Sequence, residues 1–118
     1  MEKINTIVSF NDKRGQIIDL IENEIINAIT IITFTKGAVR GNHFHKETIQ
    51  WNYLISGKIK FVSQILGKDV VETIMDKGDF VVTVPNERHA LVGLEESDLS
   101  ACEAFFKIPA SSSFLRLC

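Results

Sequence analysis

Residues 37–57 read GAVRGNHFHKETIQWNYLISG, and they place two histidines two positions apart between two glycines. Side chains two apart on a β-strand point to the same face, so His43 and His45 are expected to share one. Gln50 follows five residues after His45. Alone, a His-x-His pair fits a surface edge strand as well as a functional site. The third histidine, His89, ends a second glycine-led stretch, GDFVVTVPNERH.

Outward from this segment, short strands separated by turns account for most of the chain. Turn residues recur at intervals of roughly 8–12 residues, which favours an antiparallel all-β barrel or sandwich. One domain is predicted over residues 1–110, followed by a short C-terminal tail at residues 111–118 that begins with three serines. The runs rich in β-branched and aromatic residues are Ala28–Thr35, Ile49–Ile55, Lys58–Leu66, Val70–Met75, Phe80–Val84, Ala90–Leu94 and Cys102–Ile108.

Residues 16–26 admit two interpretations, because their five isoleucines fit a helical stripe as well as strands. Two strands joined by a turn at Glu22–Glu24 are the preferred interpretation, since isoleucine is β-branched and everything downstream is β. A helix is the alternative.

Composition and charge exclude several classes of function. Thirteen Lys and Arg residues stand against 15 Asp and Glu residues, for a net charge of −2, whereas a nucleic-acid-binding protein needs a basic face. No apolar run approaches the ~20 residues of a membrane span, and the N-terminus lacks a signal-peptide pattern. The two cysteines, Cys102 and Cys118, do not form a disulfide framework. We therefore expect a cytoplasmic protein with no nucleic-acid or membrane partner.

The spacing of the histidines resembles the first signature motif of the cupin superfamily. That motif runs from a glycine through His-x-His and a glutamate to a second glycine. Here Gly37, His43, His45 and Gly57 match it, while Gln50 stands in place of the glutamate.

The second cupin motif is also matched in part. Gly78 and His89 have its glycine-to-histidine interval, although Pro85 falls one place late. Asn86 then stands where a glycine is usual, and asparagine tolerates the left-handed backbone conformation better than most residues. The resemblance implies a single antiparallel cupin-type β-barrel, a double-stranded β-helix or jelly roll. Its interior would be lined by His43, His45, Gln50 and His89.

A narrower resemblance is to the small sugar-nucleotide cupins. The stretches Asp12–Gly15 and Arg40–His43 are similar to segments of the dTDP-4-keto-6-deoxyhexose 3,4-ketoisomerases, called WxcM-like, and of the related dTDP-4-dehydrorhamnose 3,5-epimerases. Gln50 fits as well, because the ketoisomerases carry glutamine at the position of the cupin glutamate. One feature departs from the family: the tyrosine those enzymes carry before the histidine pair is missing from Thr30–Thr35.

This resemblance implies an isomerase or epimerase that acts on a nucleotide-linked 4-keto-6-deoxy sugar and needs no cofactor. A histidine with a pKa near ~6.5 is suited to removing a proton next to a ketone, so His43 and His45 are the candidate catalytic residues. Guanidinium groups pair well with phosphate oxygens, so Arg14 and Arg40 would hold the diphosphate. The candidate substrate-binding residues are Arg14, Arg40, Gln50 and His89.

Two alternatives stay open. The first is a metal-dependent cupin enzyme, a dioxygenase or lyase, with His43, His45, Gln50 and His89 as ligands. Three imidazoles suit a divalent Zn, Fe or Ni ion, whereas a neutral glutamine removes the one anionic ligand of the usual cupin set. The second alternative is a non-catalytic ligand-binding cupin.

A homodimer is the expected assembly, because small barrels leave apolar faces and edge strands that need cover. The Ile-rich residues 17–32 are the expected contact region, together with an N-terminal strand that crosses to the partner's sheet.

Overall fold

The computed structural model describes residues 1–43 and 47–105, except the side chains of Asn42 and His43. Within these residues all regular structure is β, and no helix is long and apolar enough to cross a membrane. The strands are β1 (Glu2–Ile4), β2 (Val8–Asp12), β3 (Gly15–Ile18), β4 (Ala28–Phe34), β5 (Val39–His43), β6 (Thr48–Ser56), β7 (Lys58–Ile65), β8 (Val71–Asp76), β9 (Phe80–Thr83), β10 (Glu87–Gly93) and β11 (Ser97–Phe105).

Two antiparallel sheets form the body of the molecule. One has five strands in the order β1-β9-β6-β11-β4, and the other has four in the order β5-β10-β7-β8. Side chains alternate between the faces of each strand, so that Leu54 on β6 is fully buried while Ile55 is exposed. The two inner faces meet in one apolar cluster, which confirms the predicted all-β architecture. Its members are Phe34, Leu54, Ile59, Phe61, Met75, Val81, Leu91 and Leu99.

The interior changes from apolar to polar along the strands. On β6, Leu54 is followed toward the N-terminus of the strand by buried polar side chains, and on β10 Leu91 is preceded by His89. Polar groups are costly to bury unless they find hydrogen-bond partners, so a polar half-interior marks a region shaped for something other than packing. The buried polar residues of this half are Thr48, Gln50, Asn52, Ser63, Thr83, Glu87 and His89.

Residues 16–26 differ from both interpretations of the sequence. Strand β3 ends at Ile18, and residues 19–27 have no regular secondary structure, so the helix is wrong and only the first of the two strands forms. A strand needs a neighbour for its backbone groups. Asn27 finds one only at the end of the segment, where its N–H donates to the Glu103 carbonyl at 2.7 Å and its side chain accepts from the Phe105 N–H at 2.8 Å.

One N-terminal strand was expected, crossing to a partner's sheet, and the structure instead has two N-terminal strands, β1 and β2, that pair within the chain. Strand β1 pairs with β9 at the edge of the five-stranded sheet of its own chain. Strands β2 and β3 form a separate two-stranded hairpin, in which Asp12 pairs with Gly15 around a two-residue loop. The predicted domain boundary at residue 110 and the tail at residues 111–118 lie outside the described residues.

Candidate active site

A pocket of about 290 Å³ opens between the two sheets, where the interior becomes polar. Strands from both sheets contribute to it, since β5 and β10 belong to one sheet and β4, β6 and β11 to the other. Three of the four predicted substrate-binding residues are brought together here. The polar side chains that line the pocket are Thr30, Arg40, Gln50, His89 and Glu103.

His89 is held firmly in this pocket. Its side chain is buried on β10, and its ring stacks on Phe61 with 5.7 Å between the ring centroids and 27° between the planes. On the neighbouring strand β5, the backbone places His43 directly opposite His89. Two of the three histidines are therefore cross-strand partners, although they are 46 positions apart in the sequence.

A β-bulge in β5 sets the position of Arg40 relative to His43. His89 pairs with His43 and Ala90 with Gly41, so Asn42 is the extra residue of the bulge. Gly41 has a φ of 90°, and a Cβ added there would approach the His89 carbonyl oxygen to 3.0 Å. Glycine is therefore required for both conformation and space. This accounts for the glycine in the Arg-Gly-Asn-His run.

Arg40 spans the gap between the two sheets at the pocket. It extends from β5 to β4, where its Nε donates to the Thr33 carbonyl at 3.1 Å and its guanidinium lies 5.6 Å from the centre of the Phe34 ring. A guanidinium has five N–H donors, and the bond to Thr33 uses one of them. Arg40 thus has a structural role and retains donors for an anion.

Gln50 is oriented by a short chain of buried amides. Its Nε2 donates to Asn52 Oδ1 at 2.8 Å, and Asn52 Nδ2 donates to the Val81 carbonyl at 3.1 Å. The Oε1 atom of Gln50 is buried and has no hydrogen-bond partner among the described residues.

Arg14 lies elsewhere in the single chain. It is in the loop of the β2–β3 hairpin, where Nε and Nη2 donate to Asp12 Oδ2 at 2.9 and 2.6 Å and its backbone N–H donates to Oδ1 at 2.8 Å. These bonds, above all those of the guanidinium, lower the pKa of Asp12. Arg14 does not line the pocket that contains Gln50 and His89.

The turn before β10 confirms one detail predicted for the second motif. Asn86 has a φ of 68°, the left-handed conformation expected where the motif usually has glycine. The adjacent Glu87 is buried and accepts a hydrogen bond from the Val84 N–H at 3.2 Å. Its other carboxylate oxygen pairs with the amino group of Met1. Glu87 therefore links the turn that precedes His89 to Val84 and to the N-terminus of the chain.

The structure describes only two of the four side chains of the alternative metal site. Gln50 and His89 share the pocket, whereas His45 and the side chain of His43 lie outside the described part of the chain. Among the side chains within it, no three His, Cys, Asp or Glu groups come together as a metal-binding set. The four-ligand site therefore stays a prediction.

Sequence reasoning missed two residues of the site, Asn52 and Glu103. Glu103 pairs with Gln50 across β11 and β6, and it lines the pocket beside it. Asn52 follows the two-residue alternation of β6 that puts Gln50 inside, and this was the available signal. Glu103 is placed by its register on β11, for which the sequence offers no local signal. The only tyrosine, Tyr53, lies on the opposite face of β6, so no described tyrosine lines the pocket.

Solved structures with the same architecture identify it as the cupin fold. A TDP-quinovose 3,4-ketoisomerase from Campylobacter jejuni has a TM-score of 0.77 at 20% identity, over 93% of this chain and 88% of that one. A 3,4-ketoisomerase from Helicobacter canadensis has a TM-score of 0.76 at 23% identity, over 92% and 85%. The 3,5-epimerase RmlC from Legionella pneumophila, in complex with dTDP-4-keto-L-rhamnose, has a TM-score of 0.71 at 16% identity, over 91% and 68%.

These similarities define the fold: it is the cupin fold, also found in sugar-nucleotide isomerases and epimerases, as the sequence resemblance implied. Residues 10–106 match the model of the family described as the polysaccharide biosynthesis C-terminal domain, and the chain belongs to that family. The comparison with curated proteins gives no match.

Proposed function

We propose that the pocket binds a nucleotide-linked 4-keto-6-deoxy sugar and that the protein moves a proton on the sugar ring by histidine acid–base chemistry. One observation carries the proposal: buried His89 and Gln50 share one pocket with Arg40, and the backbone sets His43 opposite His89. The fold shared with ketoisomerases and epimerases supports the same class of reaction.

The size of the pocket suits the sugar rather than the whole nucleotide sugar. Small-molecule sites usually measure about 300–1,000 Å³, and about 290 Å³ lies at the lower end of that range. The hexose ring would fill the space beside Gln50 and His89. The diphosphate would then lie at the mouth, where Arg40 is exposed and can bind two phosphate oxygens.

The proposed reaction is a proton transfer that needs no oxidant. In a 4-keto sugar, the C3–H bond is acidic because the electron pair it leaves becomes the C3–C4 double bond of an enediolate. One histidine of the His43/His45 pair takes that proton. A proton then returns to C4 while the C3 hydroxyl loses its own, which moves the carbonyl to C3. Return of a proton to C3 from the other face would give epimerisation instead.

The test is exchange of the C3 proton of dTDP-4-keto-6-deoxyglucose with deuterated solvent, followed by NMR. We expect His43→Asn and His45→Asn to slow the exchange by ~10²–10⁴-fold, the usual loss when a general base is removed. His89→Asn is the matched control, because it replaces the remaining histidine. It should raise KM while leaving exchange at saturating substrate largely intact. Exchange that survives both single substitutions and the double variant would overturn the proposal.

The same assay separates the two alternatives. The enzyme is first treated with a chelator. Undetectable exchange that appears on addition of Zn²⁺ or Fe²⁺ would favour the metal-dependent enzyme with His43, His45, Gln50 and His89 as ligands. Binding of the nucleotide sugar without exchange under either condition would favour a non-catalytic ligand-binding protein.

We also propose that the working form is a homodimer built on the β2–β3 hairpin. The apolar side chains of the hairpin are exposed, and so are Ile29 and Ile31 on β4, which is an edge strand of the five-stranded sheet. A second copy of the chain would cover these surfaces. It would also give Arg14 a way to approach the partner's pocket, which it does not line in its own chain.

A further inference from the structure

A chain of two buried amides leads from the main chain of β9 to the pocket. The oxygen of a backbone carbonyl can only accept a hydrogen bond, so the bond to the Val81 carbonyl fixes the NH₂ group of Asn52 on that side. The amide oxygen of Asn52 then faces Gln50, and the NH₂ group of Gln50 donates to it. A main-chain atom of β9 therefore decides the orientation of both side-chain amides.

The carbonyl oxygen of Gln50, Oε1, is left as a buried acceptor. Gln50 lines the pocket and is only 6% exposed, and Oε1 has no hydrogen-bond partner among the described residues. An unsatisfied buried acceptor destabilises a folded protein. Turning the amide over would not relieve this cost, because Asn52 Oδ1 would then face an acceptor instead of a donor. The acceptor is therefore a fixed property of the pocket.

An acceptor of this kind selects among the polar groups of a nucleotide-linked keto sugar. The ring hydroxyl groups can donate a hydrogen bond, whereas the keto oxygen and the ionised diphosphate oxygens can only accept. A hydroxyl group placed against Oε1 satisfies it, but a keto oxygen at the same place would leave two acceptors facing each other. Gln50 belongs to the five-stranded sheet, so a hydroxyl group of the ring is expected on the side of that sheet.

We infer that Gln50 Oε1 accepts a hydrogen bond from one ring hydroxyl of the bound sugar, and that Asn52 is the positioning residue that holds the amide in this orientation. This inference rests on the proposed function and adds to it the orientation of the ring, with a hydroxyl group against β6 and the keto oxygen away from Gln50. A ligand that leaves a buried acceptor unsatisfied is rejected strongly. The pocket should therefore discriminate against a sugar that lacks this hydroxyl.

The first test uses dTDP-glucose, which has ring hydroxyls but no keto group and is therefore not turned over by the proposed reaction. Gln50→Leu should weaken its binding roughly tenfold in isothermal titration calorimetry, since a hydrogen bond to a buried acceptor is lost. Binding of dTDP, which lacks the sugar, should change less than twofold. Gln64→Leu is the matched control and should change neither affinity, because Gln64 is exposed on β7 outside the pocket.

The second test removes the hydroxyl from the ligand instead of the acceptor from the protein. The probes are the analogues of dTDP-glucose that are deoxygenated at C2, at C3 or at C4. One of them should bind the wild-type protein roughly tenfold more weakly than dTDP-glucose, and that difference should disappear in Gln50→Leu. The analogue that behaves in this way identifies the hydroxyl group that meets Gln50.

A double-mutant cycle tests whether Asn52 acts through Gln50. Asn52→Leu keeps a similar volume and removes both amide bonds, which leaves the Gln50 amide free to turn over. It should weaken dTDP-glucose binding in the wild-type background and have little further effect in the Gln50→Leu background. Asn52→Ala, which removes the same bonds without an apolar side chain of that size, should give the same result. A general loss of structure would instead weaken dTDP and dTDP-glucose alike.

The outcomes distinguish this inference from the proposed function. Equal losses for dTDP and dTDP-glucose in Gln50→Leu, unchanged binding of both, or deoxy analogues that lose the same affinity in Gln50→Leu as in the wild type would overturn the contact with Gln50 and leave the proposed function standing. Additive effects of the Asn52 and Gln50 substitutions would overturn the positioning role of Asn52. If neither dTDP nor dTDP-glucose binds the wild-type protein, the proposed function fails and this inference fails with it.

Discussion

The two-sheet body and the β2–β3 hairpin both carry apolar side chains on their strands, but these side chains are buried in the body and exposed in the hairpin. In the body, alternate residues such as Leu54 and Phe61 are fully buried between the sheets. In the hairpin, Phe10 is 51% exposed and Ile17 56% exposed, and the two strands pair only with each other. An isolated two-stranded hairpin is marginal in water. The difference teaches that the body is stable within one chain, whereas the hairpin is suited to packing against another surface.

The largest effect is expected where the body is best packed. Leu54→Ala removes a fully buried side chain from the apolar cluster, which should lower the free energy of unfolding by about 2–5 kcal/mol. Ile55→Ala is the control, since it removes an apolar side chain from the next position on the exposed face of β6. It should cost less than about 1 kcal/mol. Urea unfolding followed by circular dichroism measures both. Equal losses would contradict the assignment of inner and outer faces.

Sequence reasoning succeeded for the body because its signals are local. Alternation and turn residues located β4 and the strands from β6 to β10 within a few residues, whereas β11 begins at Ser97 rather than at the predicted Cys102. The left-handed Asn86 was anticipated from its position in the motif. The N-terminal strand was assigned to a partner's sheet and β2 was not located, because the pairing of β1 and β2 depends on partners elsewhere in the chain or across the hairpin loop. The second half of residues 16–26 failed for the same reason: isoleucine favours a strand, but no neighbouring strand accepts it.

The sequence also predicted part of the candidate site. The histidine spacing and Gln50 pointed to the interior, and His89, Gln50 and Arg40 are in the pocket. Glu103 was missed because its role depends on its register opposite Gln50, which lies 53 positions earlier in the sequence. Arg14 was grouped with Arg40 by resemblance alone. Within one chain Arg40 lines the pocket and Arg14 does not, and Arg14 would approach a pocket only in an assembly of two chains.

A second prediction concerns the hairpin as a surface for a second copy. Ile17→Glu should convert a dimer to the 13.3 kDa monomer in sedimentation velocity at micromolar concentration, because a charge cannot be buried there without a partner. Wild-type thermal stability should fall on dilution, whereas that of the variant should not. Leu66→Glu is the control, since Leu66 is 94% exposed in the turn between β7 and β8. A wild-type monomer at these concentrations would contradict the proposed assembly.

The smallest effect is expected at the tip of the hairpin, where Arg14 is exposed and Asp12 is half-buried. Donation from the Arg14 side chain and backbone holds the pKa of Asp12 below its ordinary value of 3.8. Arg14→Ala removes the guanidinium bonds and keeps the backbone N–H, so the pKa of Asp12 should rise part of the way back. Carboxyl-carbon NMR titration measures the change. Lys13→Ala is the control, because Lys13 shares the loop and does not contribute to the shift.

The sign of the accompanying pH effect follows from that shift. A carboxyl whose pKa is lower in the folded state stabilises the fold above its unfolded pKa, and it loses this contribution as the pH falls through the folded pKa. Hydrogen exchange of the β2–β3 amides in the wild type should therefore quicken as the pH falls below about 3.8, relative to the intrinsic rate. Arg14→Ala should flatten that dependence while the urea midpoint of the body stays unchanged. If the body loses stability together with the hairpin, the two regions unfold as one unit, and the body is not stable independently of the hairpin.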